Sequence, residues 1–333
     1  MNDQRNSDEP PASPDQPLRP ASTVTDGIQR FTFDDLDIRG ELAHLDRTWQ
    51  DVVTAHDYPL PVQQLLGELL TATALLANII KIDGTLTVQA SGDGPLAVLM
   101  AECQDRETLR GIARIREDRG PIDGAPPPPG VSMGTELLGR GLLTITIRPA
   151  GGEPYQGIVP LSGATIAEAV EGYFAQSEQI PTRIWLSASE GRAAGLLIQA
   201  LPPELTRRSR SASQREEDFT RLSLLADTVG AAELRDTANE LLLTRLFHEE
   251  RVLVQPPAPV AFRCTCNRDR TREALRAMAR EELEEIVATE GRITMDCQFC
   301  HEVYAFDGID LEILFRDDAW GAGPGPEASG PTH

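Results

Sequence analysis

Four of the chain's five cysteines fall into two tight pairs between Arg263 and Glu302. Cys264-Thr265-Cys266 is followed, thirty residues on, by Cys297-Gln298-Phe299-Cys300. Two close thiol pairs that meet in space supply four sulfur ligands at the corners of a tetrahedron, which is what a closed structural Zn²⁺ site requires. The spacing predicts one Zn²⁺ per chain in the reduced form, held by Cys264, Cys266, Cys297 and Cys300. A thioredoxin-like redox pair is the other reading of C-x-x-C, but such pairs open a helix in a βαβ unit. Here Cys300 runs instead into the strand-like His301–Phe306. His301 is read as a bystander, because four thiolates already fill a tetrahedral site.

Thiol chemistry gives this constellation a second use. Zinc holds sulfur as thiolate, the nucleophilic form, and Arg263, Arg268, Arg270 and Arg292 lie close in sequence, where positive charge favours thiolate further. An oxidant converts a thiolate to sulfenic acid, which a neighbouring thiol captures as a disulfide. In so small a module the metal-binding free energy, on the order of 10 kcal/mol in zinc-finger peptides, is largely the folding free energy. Loss of the ligands therefore unfolds the module, and oxidation becomes a conformational signal. A purely structural zinc ribbon has the same spacing.

Composition removes several function classes. With 31 basic against 52 acidic residues, the net charge of −21 opposes binding to phosphate backbones and anionic membranes. Neither nucleic acid nor membrane is expected as a partner. Lysine occurs once, at Lys81, so no Gly-Lys-Ser/Thr phosphate loop exists and a Walker-type ATPase is excluded. Residues 1–26 are rich in Pro, Asp, Ser and Gln and read as a disordered tail without the pattern of a secretory signal. The Gly/Pro-rich residues 317–333 read the same way. Thiols without a signal or a transmembrane stretch point to a reducing cytoplasm. Cys103, in the apolar run from Leu96, reads as a core residue.

Periodicity divides the rest of the chain. Strands are expected at Arg30–Phe33 and from Ile38, a helix from Arg47 to His56, and a buried central helix from Val62 to Ile80. Asp83-Gly84 signals a tight turn before strands at 85–90, 96–103, 108–115 and 142–148, with Pro126–Pro129 looping out. A strand from Tyr155, a helix over Thr165–Gln179, and strands at Arg183–Ser187 and Ala194–Leu201 complete an α+β pattern without regular βαβ alternation. The expected organisation is an N-terminal mixed α/β core over 27–203, a helical linker over 204–260 and a small C-terminal zinc-binding redox-switch domain, built on the four cysteines, over 261–316. Within the linker, Phe219, Leu222, Leu225 and Val229 mark one amphipathic helix and Ala232–Glu250 a second. Neither is long enough to stand alone, so each must dock. The charged insert Thr271–Thr289 is expected to be helical.

The cysteine pairs at this separation resemble those of the redox-regulated chaperones of the heat shock protein 33 family, the 33 kDa chaperonins. The likeness extends through His56-Asp-Tyr-Pro-Leu-Pro-Val62, Gly92-Asp-Gly-Pro95, Tyr155-Gln-Gly-Ile-Val159, Ser177-Glu-Gln-Ile-Pro-Thr-Arg183 and Arg245-Leu-Phe-His-Glu-Glu250, roughly residues 29–316 in order. The resemblance implies a non-enzymatic, ATP-independent holdase, monomeric, zinc-bound and inactive while reduced. Oxidation would form Cys264–Cys266 and Cys297–Cys300 disulfides, release zinc and unfold the linker, so that a homodimer binds unfolded client proteins. The pairing comes from the resemblance alone, since four cysteines permit three connectivities. This chain departs from the pattern in its Pro-rich N-terminal extension, the Pro126–Pro129 loop, the basic stretch near 207–213 and Cys103, which could offer another disulfide partner. A zinc or thiol-disulfide enzyme would need an open metal position or an exposed low-pKa C-x-x-C. A zinc-stabilised adaptor that binds its partner in any redox state is the rival reading.

Overall fold

The computed structural model describes residues 26–122, 134–161, 165–202 and 211–321. The Pro126–Pro129 loop, the stretch Arg207–Arg210 and nearly all of both expected tails lie outside these residues. In chain order, β1 (Gly27–Phe33) and β2 (Ile38–Leu45) form a hairpin, followed by α1 (Arg47–Thr54) and α2 (Leu60–Ile80). Strands β3 (Gly84–Gly92), β4 (Leu96–Gln104) and β5 (Thr108–Ile115) form a meander, then come α3 (Gly134–Leu138), β6 (Gly141–Pro149) and β7 (Tyr155–Pro160). Helix α4 (Ile166–Tyr173) leads through a wider helical turn to β8 (Thr182–Ala188) and β9 (Ala193–Ala200).

Helix α2 sits between two sheets. The first has the strand order β8-β9-β2-β1, and the second β5-β4-β3-β6-β7, all antiparallel. An α-helix that is apolar nearly all round must be covered on every side, and Leu66, Leu69, Leu70, Ala74, Leu75 and Leu76 are fully buried. The same length and apolarity would suit a membrane span, but here the two sheets supply the apolar surroundings. Close approach is built in with glycine. A Cβ on Gly195 of β9 would stand 2.8 Å from Thr71, and one on Gly67 of α2 would stand 2.6 Å from Ala188.

The first sheet is buried on both faces, so its strands read as apolar runs more than as alternation. Ile28, Ala43, Leu45, Ala193 and Leu197 face α2, whereas Phe31, Phe33, Leu42, Leu196 and Ile198 face outward into a second apolar cluster. That outer face is covered by α5 (Ala212–Ala226), α6 (Ala231–Asp236) and α7 (Asn239–Leu246), through Leu222, Ala226, Leu234, Leu242, Leu243 and Leu246. Phe247 closes the cluster, its ring edge-on to Phe33 at 5.1 Å between centroids.

The expected single helix Ala232–Glu250 is broken at Thr237, which is extended (φ −97°, ψ 134°). The break has a polar cause. It sets the Leu234 carbonyl 3.0 Å from the buried His44 ring, and lets the Asn239 amide donate to Gln29 at 2.8 Å. Past α7 the chain returns to the first sheet, where β10 (Val252–Val254) and β11 (Ala258–Pro259) both pair with β1. It then crosses to the second sheet, where β12 (Ala261–Phe262) lies parallel to β5.

The C-terminal module comprises α8 (Arg268–Leu275), α9 (Arg280–Glu290), the hairpin β13 (Ile293–Asp296) and β14 (Val303–Phe306), and α10 (Gly308–Gly321). The last helix continues past residue 316. The insert expected as one helix is two, because a straight helix would hold Leu275 and Leu283 about 12 Å apart along its axis. Breaking it around Ala279 (φ −66°, ψ 137°) brings both side chains onto Phe306, beside Ile293, Leu311 and Leu314.

One carboxyl strains the sandwich. Glu68 of α2 has no ion-pair partner among the described residues, and desolvation pushes its carboxyl up to about 8. The native state therefore holds its proton more tightly than the unfolded chain, so stability falls as pH rises from about 4.5 to 8. Glu68→Gln should stabilise the fold, with a gain that is small at pH 5 and largest above pH 8. Denaturant unfolding at a series of pH values measures this, and a gain independent of pH would contradict it.

Candidate metal centre

The two thiol pairs reach the site from opposite ends of the module. Cys264 and Cys266 lie between the end of β12 and the start of α8, whose N-cap Asn267 accepts from the Arg270 backbone N–H at 2.8 Å. Cys297 and Cys300 lie in the tight connection between β13 and β14. There the Cys297 N–H donates to the Glu302 carbonyl at 2.9 Å and the His301 N–H to the Cys297 carbonyl at 2.8 Å. The turn requires His301 to adopt a left-handed backbone, φ 56°.

All four sulfurs lie within 4.8 Å of one another, with Cys264 and Cys297 at 3.5 Å and Cys266 and Cys300 at 3.4 Å. Metal–sulfur bonds of about 2.3 Å at tetrahedral angles require sulfur–sulfur edges of roughly 3.8 Å. The donor set therefore fits a tetrahedral dication with small adjustments. The thiols are free and half-buried. Desolvation, together with the three neighbouring sulfurs, drives the Cys300 thiol far above its ordinary range, because packed thiolates are costly unless a cation stands among them. The shortest distances cross between the two pairs, and in a tetrahedron every edge is similar, so proximity selects no disulfide pairing.

The groups around the sulfurs are not those expected from sequence proximity. Arg268 turns away to Asp310, the Ala305 carbonyl and the Phe306 ring, and Arg270 to Thr265. Instead Arg110, from β5, sets its guanidinium 3.9 Å from the Cys264 sulfur, and the Tyr304 hydroxyl donates to the Cys266 sulfur at 3.2 Å. Arg110 also stacks over the Phe299 ring at 4.1 Å while bonding Glu102. Arg114 bonds the Gln298 side chain, and His301 meets His56 at 2.9 Å between ring nitrogens. His56 stacks on Tyr58, whose hydroxyl is pinned to the Ala113 backbone. Burial first, and then His301, lowers the pKa of His56. The two residues inside the Cys297-x-x-Cys300 turn, and the one after it, thus dock the module on the body.

His301 lies outside the thiol cluster and is a docking residue. Nothing local to Arg110 or His56 signalled these contacts, since each lies more than 150 residues from its partner in the module. Cys103 is fully buried on the α2 side of β4. Burial pushes its thiol up to about 12. Cys264 lies beside Arg110, which alternates with the inward-facing Leu109 onto the opposite face of the sheet, so in this fold Cys103 is no partner for the four clustered cysteines.

Fold and site together define an α+β body of two sheets around one helix, carrying a C-terminal four-thiol module able to hold a metal ion. The sequence profile described as Hsp33 protein matches residues 26–307. The chain belongs to the Hsp33 family. It is 45% identical over 298 residues to the 33 kDa chaperonin of Azotobacter vinelandii, covering 89% of this chain and 97% of that one. It is 44% identical to the 33 kDa chaperonin of Pseudomonas paraeruginosa, covering 92% and 98%. The fold is similar to the crystal structure of the 33 kDa chaperonin of Thermotoga maritima, with a TM-score of 0.71 at 22% identity, covering 88% of this chain and 99% of the other.

Partners that orient a metal-bound ligand are typically worth 10–100-fold in metal affinity. Tyr304→Phe should therefore weaken metal binding by about tenfold with the fold intact. Chelator competition against the Co²⁺- or Zn²⁺-loaded protein measures this, and an unchanged affinity would show that the hydroxyl has no such role.

Proposed function

We propose that this protein is a redox-regulated, ATP-independent holdase of the cytoplasm, which binds unfolding proteins and prevents their aggregation under oxidative stress. The observation that carries this reading is the convergence of four thiols in a module whose own turn residues fasten it to the body. Membership of a family whose relatives are named chaperonins supports a chaperone over an enzyme.

In the reduced state Cys264, Cys266, Cys297 and Cys300 would hold one Zn²⁺, which when bound keeps all four sulfurs as thiolates and ties the two ends of the module together. Oxidation of a thiolate to sulfenic acid, followed by attack from the neighbouring thiol with loss of water, leaves a disulfide. We assign these disulfides to Cys264–Cys266 and Cys297–Cys300, by analogy with the family. Each disulfide removes two ligands. Phe299, Gln298 and His301 then lose the turn that aims them at Arg110, Arg114 and His56, and the module's small core of Leu275, Leu283 and Phe306 is too slight to persist alone.

The body is 27–203, the switch domain 261–316, and the linker between them, 204–260, carries the consequence. Its helices cover the outer face of the first sheet, and its strands β10 and β11 lead directly to the cysteines. Release of the module would free that cover and expose Phe31, Phe33, Leu42, Leu196 and Ile198 together with the helices' own apolar faces. Such surface recognises unfolded chains without sequence preference. The same exposure accounts for a monomer when reduced and a homodimer when oxidised.

The test follows metal release and suppression of client aggregation together, while reduced protein is titrated with peroxide or hypochlorite at raised temperature. Both should rise in parallel and reverse with dithiothreitol, and Cys266→Ser should abolish oxidant-dependent activation. Equal protection with and without oxidant would favour the zinc-stabilised adaptor.

A further inference from the structure

We propose that a small cavity beneath the Cys264-Thr265-Cys266 turn binds a free tetrahedral oxyanion, phosphate or sulfate. The cavity has a volume of about 190 Å³ and is lined by four arginines, Arg110, Arg148, Arg263 and Arg270, against the single carboxylate of Glu102. Its floor is a row across the outer face of the second sheet. Arg148 of β6 stands beside Thr85 of β3, which stands beside Gln104 of β4, which stands beside Thr108 of β5. Its roof is Arg263 and Thr265, from the thiol-bearing turn, and Arg270, from the first turn of α8.

The charge count points to an anion. Glu102 is bonded by Arg110, and Arg270 is held by the Thr265 carbonyl and hydroxyl at 3.0 and 2.8 Å. Arg148 and Arg263 have no ion-pair or side-chain hydrogen-bond partner among the described residues, although 52 acidic residues are available in the chain. Like charges gathered around one pocket repel, and an oxyanion of charge −2 relieves that repulsion. Guanidinium groups match tetrahedral oxyanions with paired N–H donors, and the hydroxyls of Thr85 and Thr265 supply neutral ones. The volume falls below the roughly 300–1,000 Å³ of sites for drug-sized ligands, which favours a free anion over a nucleotide.

Because floor and roof belong to different parts of the molecule, the bound anion bridges the body and the thiol module. Anything that binds only the docked arrangement stabilises it by mass action. Phosphate should therefore hold the module down, a consequence that does not depend on the redox reading.

Calorimetric titration of the reduced full-length protein with inorganic phosphate, against chloride at matched ionic strength, tests the site. Saturable one-site binding is expected, weakened by roughly tenfold or more in Arg148→Ala and in Arg263→Ala. Both side chains are exposed and unpaired, so neither change should disturb the fold, unlike Arg110→Ala, which would strand Glu102. Arg140→Ala, which removes an exposed arginine paired with Asp93 elsewhere on the surface, should leave binding unchanged. Glycerol 3-phosphate distinguishes the free anion from a phosphomonoester. Weaker binding than phosphate supports the proposal as stated, and equal or tighter binding overturns the free anion as occupant. Absence of saturable phosphate binding, or equal binding in all three variants, overturns the site altogether.

Discussion

A sheet that is apolar on both faces needs two covers, and most of this structure follows from how the first sheet obtains them. One cover is internal. Helix α2 lies between the sheets and is itself apolar nearly all round, so it cannot leave without dismantling the body. The other is external and comes from later in the chain, in helices α5 to α7. These are short helices, marginal in isolation, whose stability rests on the docked apolar face. The two faces of one sheet are thus buried with very different security.

The second cover is tied to the thiols by a short tether. From Phe247 the chain passes through β10 and β11 on β1, crosses to β12 beside β5, and reaches Cys264 two residues later. Each paired stretch is only two or three residues long, so little backbone pairing resists its removal. What fastens the module beyond this tether is a set of side-chain contacts made by the Cys297–Cys300 turn itself. The geometry of four sulfurs therefore reaches the apolar face of the first sheet through a run of individually weak contacts.

Electrostatics separates the surface from this seam. A net charge of −21 keeps the exterior strongly anionic, yet Arg110, Arg114, Arg148, Arg263 and Arg270 gather where module meets body. Local charge here opposes the global balance. Total charge spoke against phosphate backbones as partners, and that inference concerns long-range attraction only. A pocket lined by several donors acts over a few ångströms, where the arrangement of individual groups outweighs the sum.

Although β10 and β11 lie in a linker expected to be helical, the sequence read alone established most other elements, the burial of α2, the four thiols and their suitability for a tetrahedral metal site. These depend on local signals, namely periodicity, turn residues and cysteine spacing, which act over a few residues. It misjudged the helices over Ala232–Glu250 and Thr271–Thr289, where periodicity continues across a break set by partners elsewhere. The buried Asn239–Gln29 bond opens one, and the convergence of Leu275 and Leu283 on Phe306 opens the other. Only the folded chain places Arg110 and Tyr304 at the sulfurs, while Arg268 and Arg270, close to them in sequence, turn elsewhere. It alone showed that His301 fastens the module and that Cys103 lies on the wrong side of its sheet. Contacts between residues more than 150 positions apart are fixed by strand register and sheet face, and a single chain read along its length carries neither.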